Sequence, residues 1–147
     1  MAKRGRLLEA LTSTARINPD AYSVKTSPNR IKSLGYALAG WLYMLRWQKN
    51  VRIQALASIL VIALSLWLQI DFYGIALIVL VITMVWMAEF LNAAVEAVVN
   101  LATEEWHPMA KVGKDVASAA VLLAVVAAVI IGLLVLGPPL IGRLSIR

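Results

Sequence analysis

Three long apolar stretches set the pattern of the chain. They run from Ala55 to Ile70, with Val51 and Ile53 as an approach, from Phe72 to Ala88, and from Val116 to Ile141. A helix crossing the hydrocarbon of a bilayer needs about 20 residues, with a range of roughly 17–25. The third stretch meets this alone and without a charge. The second meets it by continuing as a helical pattern to Ala102, which takes in Glu89, Asn92 and Glu96. The first meets it with polar flanks, Arg52 and Gln54 or Gln69 and Asp71, at the interfaces. The pattern predicts an all-α membrane protein with three spans, at about 51–70, 72–102 and 114–137. Asp71-Phe72-Tyr73-Gly74 is expected as a tight turn, Thr103 to Asp115 as the second connection, and Pro138-Pro139 as the end of the third helix.

Ahead of the spans, Ile31, Leu34, Leu38, Trp41, Leu42 and Leu45 recur at three- and four-residue steps. This is an amphipathic stripe, and it predicts a helix over 31–47. Trp and basic residues beside such a stripe suit a helix lying in the headgroup layer; a tail helix packed on the bundle is the other reading. Residues 1–28 hold Gly5, Asn18-Pro19-Asp20 and Ser27-Pro28, and read as a basic, mostly flexible arm with a short helix near Leu7–Ile17. Residues 29–141 form the membrane domain and 142–147 a tail. Leu7 to Leu11 is too short and too polar for a secretory h-region.

Composition agrees. Of 147 residues, 61% are apolar and 15% charged, against norms of roughly 45–50% and about 25%. There is no cysteine, hence no disulfide framework or zinc-thiolate site. The net charge of +6 does not imply a nucleic-acid partner, because the basic residues avoid the apolar stretches. Ten Lys/Arg lie between Met1 and Gln54, Lys111 and Lys114 lie in the second connection, and the Asp71 turn has none. The positive-inside rule then expects an inner-membrane protein with its N-terminus and second connection cytosolic and its C-terminus outside.

The second helix carries the candidate chemistry. Glu89, Asn92, Glu96 and Asn100 stand at offsets of 0, 3, 7 and 11. At about 100° per residue they share an arc of about 80°. Glu89 and Glu96 are two turns apart, roughly 10 Å. One carboxylate can bind a divalent ion while the other takes a proton from a hydroxyl; Mg²⁺ with a nucleotide needs only one or two carboxylates. A polar seam joining subunits by interhelical hydrogen bonds is the competing reading. Lys114-Asp115 is expected to open the third helix, where free N–H groups and the dipole favour an anion. Lys114 there is a phosphate ligand or a snorkelling anchor, while Lys111 belongs to the connection and to solvent. His107 lacks metal-ligand spacing and reads as a solvated loop histidine.

The run Glu89-Phe90-Leu91-Asn92-Ala93-Ala94-Val95-Glu96-Ala97-Val98-Val99-Asn100 resembles the signature of the small prokaryotic diacylglycerol kinase family, whose Gram-positive branch phosphorylates undecaprenol. The resemblance continues through Glu105-Trp106-His107 and Lys114 to Val121, and upstream through Lys32 to Gly40 and Gln48 to Ile53. It implies a homotrimer with active sites at the cytosolic membrane surface, ATP as donor, Mg²⁺ as cofactor, and a membrane lipid hydroxyl as acceptor. By residue, it implies Glu89 as general base, Glu96 as metal ligand, Asn92 as a positioner and Lys114 as phosphate ligand. Asp115, Glu105 and His107 would help hold the nucleotide. Two positions depart from the pattern: Gln48 stands where the family usually has a second metal-binding glutamate, and Asn100 where the signature commonly ends in aspartate. An amide oxygen still coordinates a metal, but without charge. The alternatives are a catalytically weak relative serving as a scaffold, or a small ion pathway along Glu89 and Glu96.

Overall fold

The computed structural model describes residues 30–103 and 105–145. The arm at 1–28 with its helix at Leu7–Ile17, and Glu104, lie outside the described residues. Four helices follow one another: α1 (Arg30–Trp47), α2 (Lys49–Trp67), α3 (Phe72–Ala102) and α4 (Pro108–Ser145), with no strand among the described residues. The last three are long and apolar enough to cross a membrane. Most of their large side chains are exposed, Leu123, Leu133 and Leu134 among them. Such surface has no place in water and needs lipid or protein around it.

The chain divides into two compact units at Gly40 and Trp41. In the first, the described residues 30–40 are helical and exposed throughout. In the second, the rest of α1 packs: Met44 is buried, and Trp41 stacks on Trp86 with centroids 4.8 Å apart and meets Phe90 at 5.2 Å. Gln48 alone interrupts α1 and α2. Its backbone is extended (φ −93°, ψ 110°), while its N–H still donates to the Met44 carbonyl.

At the far end of α2 the chain reverses in three residues. Gln69 takes a positive φ of 55°. The Gln69 N–H donates to the Leu66 carbonyl and the Ile70 N–H to the Ser65 carbonyl. This is the Schellman pattern, which usually places glycine at the left-handed position. The turn expected at Asp71–Gly74 therefore lies at Leu68–Ile70. Asp71 is instead the N-cap of α3, its Oδ1 accepting from the Gly74 N–H at 2.9 Å, as a short acidic side chain does best. Gly74 is buried because α4 passes close: an added Cβ would lie 3.2 Å from Val135 Cγ1 and 2.9 Å from Asp71 Oδ1. Leu68, Ile78 and Leu136 form the core here, with Val61, Ile82 and Leu140 packed around them.

Both expected boundaries of the third span are corrected. Pro138-Pro139 does not end the helix; α4 continues through both to Ser145. Each proline removes one N–H from the ladder. Beyond them, Arg143 donates to the Trp67 carbonyl and lies 4.6 Å above the Trp67 ring, which ties the last turn to α2. At the other end α4 starts at Pro108, not near Lys114. Proline is favoured at the first helical position, where its missing N–H costs no bond, and the His107 Nδ1 accepts from the Met109 N–H at 3.2 Å as a cap.

Candidate active site

α3 and α4 run antiparallel, and the polar stripe of α3 faces the first turns of α4. Two bonds fix the register. Lys114 Nζ donates to Asn100 Oδ1 at 2.7 Å, and Ser118 Oγ donates to Asn92 Oδ1 at 3.4 Å. Within the stripe, Asn92 Nδ2 donates to Glu96 Oε1 at 3.1 Å. Asn92 thus offers its oxygen to α4 and its amide protons to Glu96, and this fixes the carboxylate's orientation. Glu89, deeper along α3, is 4% exposed and is the one buried charged residue among those described. An ionisable group at such a place is costly unless it serves a function.

A cleft of about 430 Å³ opens at the end of the two helices. Five expected residues line it: Asn100, Glu105, His107, Lys114 and Asp115. Glu89, Asn92, Glu96 and Gln48 do not. The expected site is therefore two adjoining parts, a cleft at the helix ends and a polar stripe leading inward. Glu105 is held by Thr103, whose Oγ1 accepts from the Glu105 N–H at 3.1 Å and donates to its carbonyl at 3.0 Å. Asp115 forms an ion pair with Lys111, both exposed. Lys111 lies inside α4, not in the solvated connection, because the helix begins a turn earlier than expected. For the same reason Lys114 is in the second turn of α4, where the terminal N–H groups do not reach it. Its partner Asn100 is neutral, so the ammonium keeps its charge uncompensated there.

His107 is not merely a loop residue: one ring nitrogen caps α4, which leaves Nε2 for a ligand. Gln48 makes no side-chain capping bond to α2. Among the described residues no group of three or more acids or histidines could hold a metal unaided. Ser118 was missed by sequence reasoning. Its signal was its spacing, one helical turn after Lys114.

The comparisons with known proteins agree with this geometry. Residues 35–136 match the prokaryotic diacylglycerol kinase family. The chain is 39% identical over 119 residues to a diacylglycerol kinase of Synechocystis, covering 80% of this chain and 68% of the relative. It is 34% identical over 100 residues to the diacylglycerol kinase of Escherichia coli K12, covering 68% and 82%. It is also 34% identical over 109 residues to the undecaprenol kinase of Bacillus subtilis, covering 74% and 89%. The fold and site define an integral membrane lipid kinase. The chain belongs to the prokaryotic diacylglycerol kinase family, and the scaffold and ion-pathway alternatives are not favoured.

Proposed function

We propose that the chain transfers the γ-phosphoryl group of ATP to a membrane lipid hydroxyl where the cleft meets the polar stripe of α3. The observation that carries this reading is the Lys114–Asn100 bond, which places a cation without an anionic partner between the two parts. The triphosphate lies in the cleft, with Lys114 exchanging Asn100 for a phosphoryl oxygen. Glu105, Asp115 and the His107 Nε2 line the nucleotide's surroundings. Mg²⁺, bound with ATP, neutralises charge on the transferring group. Glu96 fits that ion: Asn92 leaves one of its carboxylate oxygens available, and one or two carboxylates suffice when phosphate and water complete the shell. Gln48, a second ligand in the family pattern, offers an uncharged amide oxygen. Glu89 takes the proton of the lipid hydroxyl as general base; a buried carboxylate does so without competition from water. The nucleotide-binding end faces the cytosol, the chain sits in the inner membrane with its C-terminus outside, and three copies assemble around the site. Residues 1–28 form an arm separate from this domain.

Purified protein with labelled ATP and a panel of lipid alcohols tests the reading. Label transfer to a lipid is expected, and Glu89→Gln should abolish it while the protein still inserts. Full transfer by that variant would remove Glu89 from the mechanism.

A further inference from the structure

Gln54, in the second turn of α2, carries a side-chain oxygen that is buried and has no hydrogen-bond partner. Buried polar atoms in this condition are rare. Its neighbours are satisfied: Ser58 Oγ donates to the Gln54 main-chain carbonyl at 2.7 Å and accepts from Trp86 Nε1 at 3.1 Å. Gln54, Ser58 and Trp86 are the polar side chains lining a cavity of about 470 Å³ between α2, α3 and α4, whose remaining walls are apolar residues such as Ile78, Val129 and Leu136. That volume is in the range of small-molecule sites, roughly 300–1,000 Å³. The Trp86–Ser58 bond also fixes depth. From Ser58 one turn back along α2 leads to Gln54, and from Trp86 three residues on along antiparallel α3 lead to Glu89. The two steps have the same direction, so Gln54 stands at the level of the general base.

We propose that Gln54 is a specificity-determining residue: its side-chain amide donates a hydrogen bond to an ester carbonyl of a glycerolipid acceptor, one acyl chain of which fills the cavity. The inference rests on the lipid-kinase reading and names its substrate class. The acceptor's hydroxyl belongs to Glu89. The polar atoms that remain on a diacylated glycerol are ester carbonyls, which accept only and therefore need a donor. Ser58 and Trp86 are engaged with each other and with the main chain. Gln54 is not: half a turn about its last bond exchanges Oε1 for Nε2, and because Oε1 has no partner the rotation breaks no bond. A polyprenol has no carbonyl to meet this amide.

The test compares three acceptors with the full chain in mixed micelles: dioleoylglycerol, its ether-linked dialkyl analogue, and a polyprenol. The wild type is expected to favour the ester over the ether by about tenfold in kcat/KM, the order of one hydrogen bond. Gln54→Leu should lose about tenfold on the ester, through KM, and erase that preference. A wild type that does not distinguish ester from ether overturns the inference without any variant. So does a Gln54→Leu variant that loses equally on all three lipids, which would indicate packing alone. A change of oligomer size in that variant would mean that a second copy covers the cavity, and would equally overturn it. Failure of the wild type to phosphorylate any of the three removes the kinase reading itself and is separate from these outcomes.

Discussion

The two ends of the α3–α4 pair are held by different forces. At the Asp71 end, Leu68, Ile78 and Leu136 interlock, Gly74 admits α4 to close range, and the chain reverses through capped helix ends. At the other end the helices meet through Asn100–Lys114 and Asn92–Ser118. Lipid tails are as apolar as leucine, so association within a bilayer depends on close packing and interhelical hydrogen bonds. Here the two contributions are segregated along the helix. Packing fixes the fold at one end, which leaves the polar residues at the other to carry chemistry.

Substitutions at the two ends should then separate activity from stability. The largest effect is expected for Glu96→Gln. It removes the carboxylate that Asn92 orients, and uncharged Gln48 cannot replace it; phosphoryl transfer should fall by at least about 10²-fold, with insertion and oligomer size unchanged in detergent. Wild-type turnover would displace the metal from Glu96. Lys114→Met should cost ≈10²–10³ in kcat by analogy with loss of one transition-state donor. Lys111→Met, which breaks an exposed ion pair, should stay within about threefold. Equal losses in paired kinase assays would reduce Lys114 to generic surface charge. At the packed end, Gly74→Ala forces a methyl group against Val135 and the Asp71 cap. It should lower stability by about 1–3 kcal/mol, seen as earlier thermal unfolding, while the folded fraction keeps its specific activity. Gln69→Gly should act in the opposite sense and least: relief of a left-handed residue is worth about 1–2 kcal/mol, offset by the extra chain entropy of glycine, about 0.5–1 kcal/mol. A loss of stability there would mean that the Gln69 side chain contributes something its backbone strain conceals.

The three spans and the α3 stripe were legible because apolar length and a 100° period are properties of a single helix. Glu89 to Asn100 could be placed on one face without knowing what the face meets. The ends of α4 were harder to read. Pro138-Pro139 carries the local chemistry of a stop, and only the contact of Arg143 with Trp67, 76 residues away in sequence, holds the helix beyond it. Trp106-His107-Pro108 was taken as loop although proline favours the first helical position; the charges at Lys111, Lys114 and Asp115 concealed the apolar period that would have extended the helix back. Which polar residue meets which was not legible at all. The pairing of Asn100 with Lys114 and of Asn92 with Ser118 depends on the register of two helices, and one strip of sequence does not encode it locally. The same holds for Gln54, which looked like an interfacial flank and is instead a buried amide without a partner.

The length of α3 has a further consequence. Its 31 residues make a rod of about 46 Å at 1.5 Å per residue, against hydrocarbon about 30 Å thick. Set upright from the Asp71 turn, the oil takes roughly the first 20 residues, up to about Leu91. Glu89 then stands just inside the boundary, while Asn92, Glu96 and Asn100 stand in the watery headgroup layer. ATP does not dissolve in oil and a two-chain lipid does not dissolve in water. α3 works as a ruler between the two phases, with the graduation for proton removal on one side of the line and the graduations for phosphate on the other. Insertion of a single residue between Asp71 and Glu89 would shift that scale by about 1.5 Å and turn it by about 100°, so the distance from the turn to the stripe is as much a part of the site as the residues themselves.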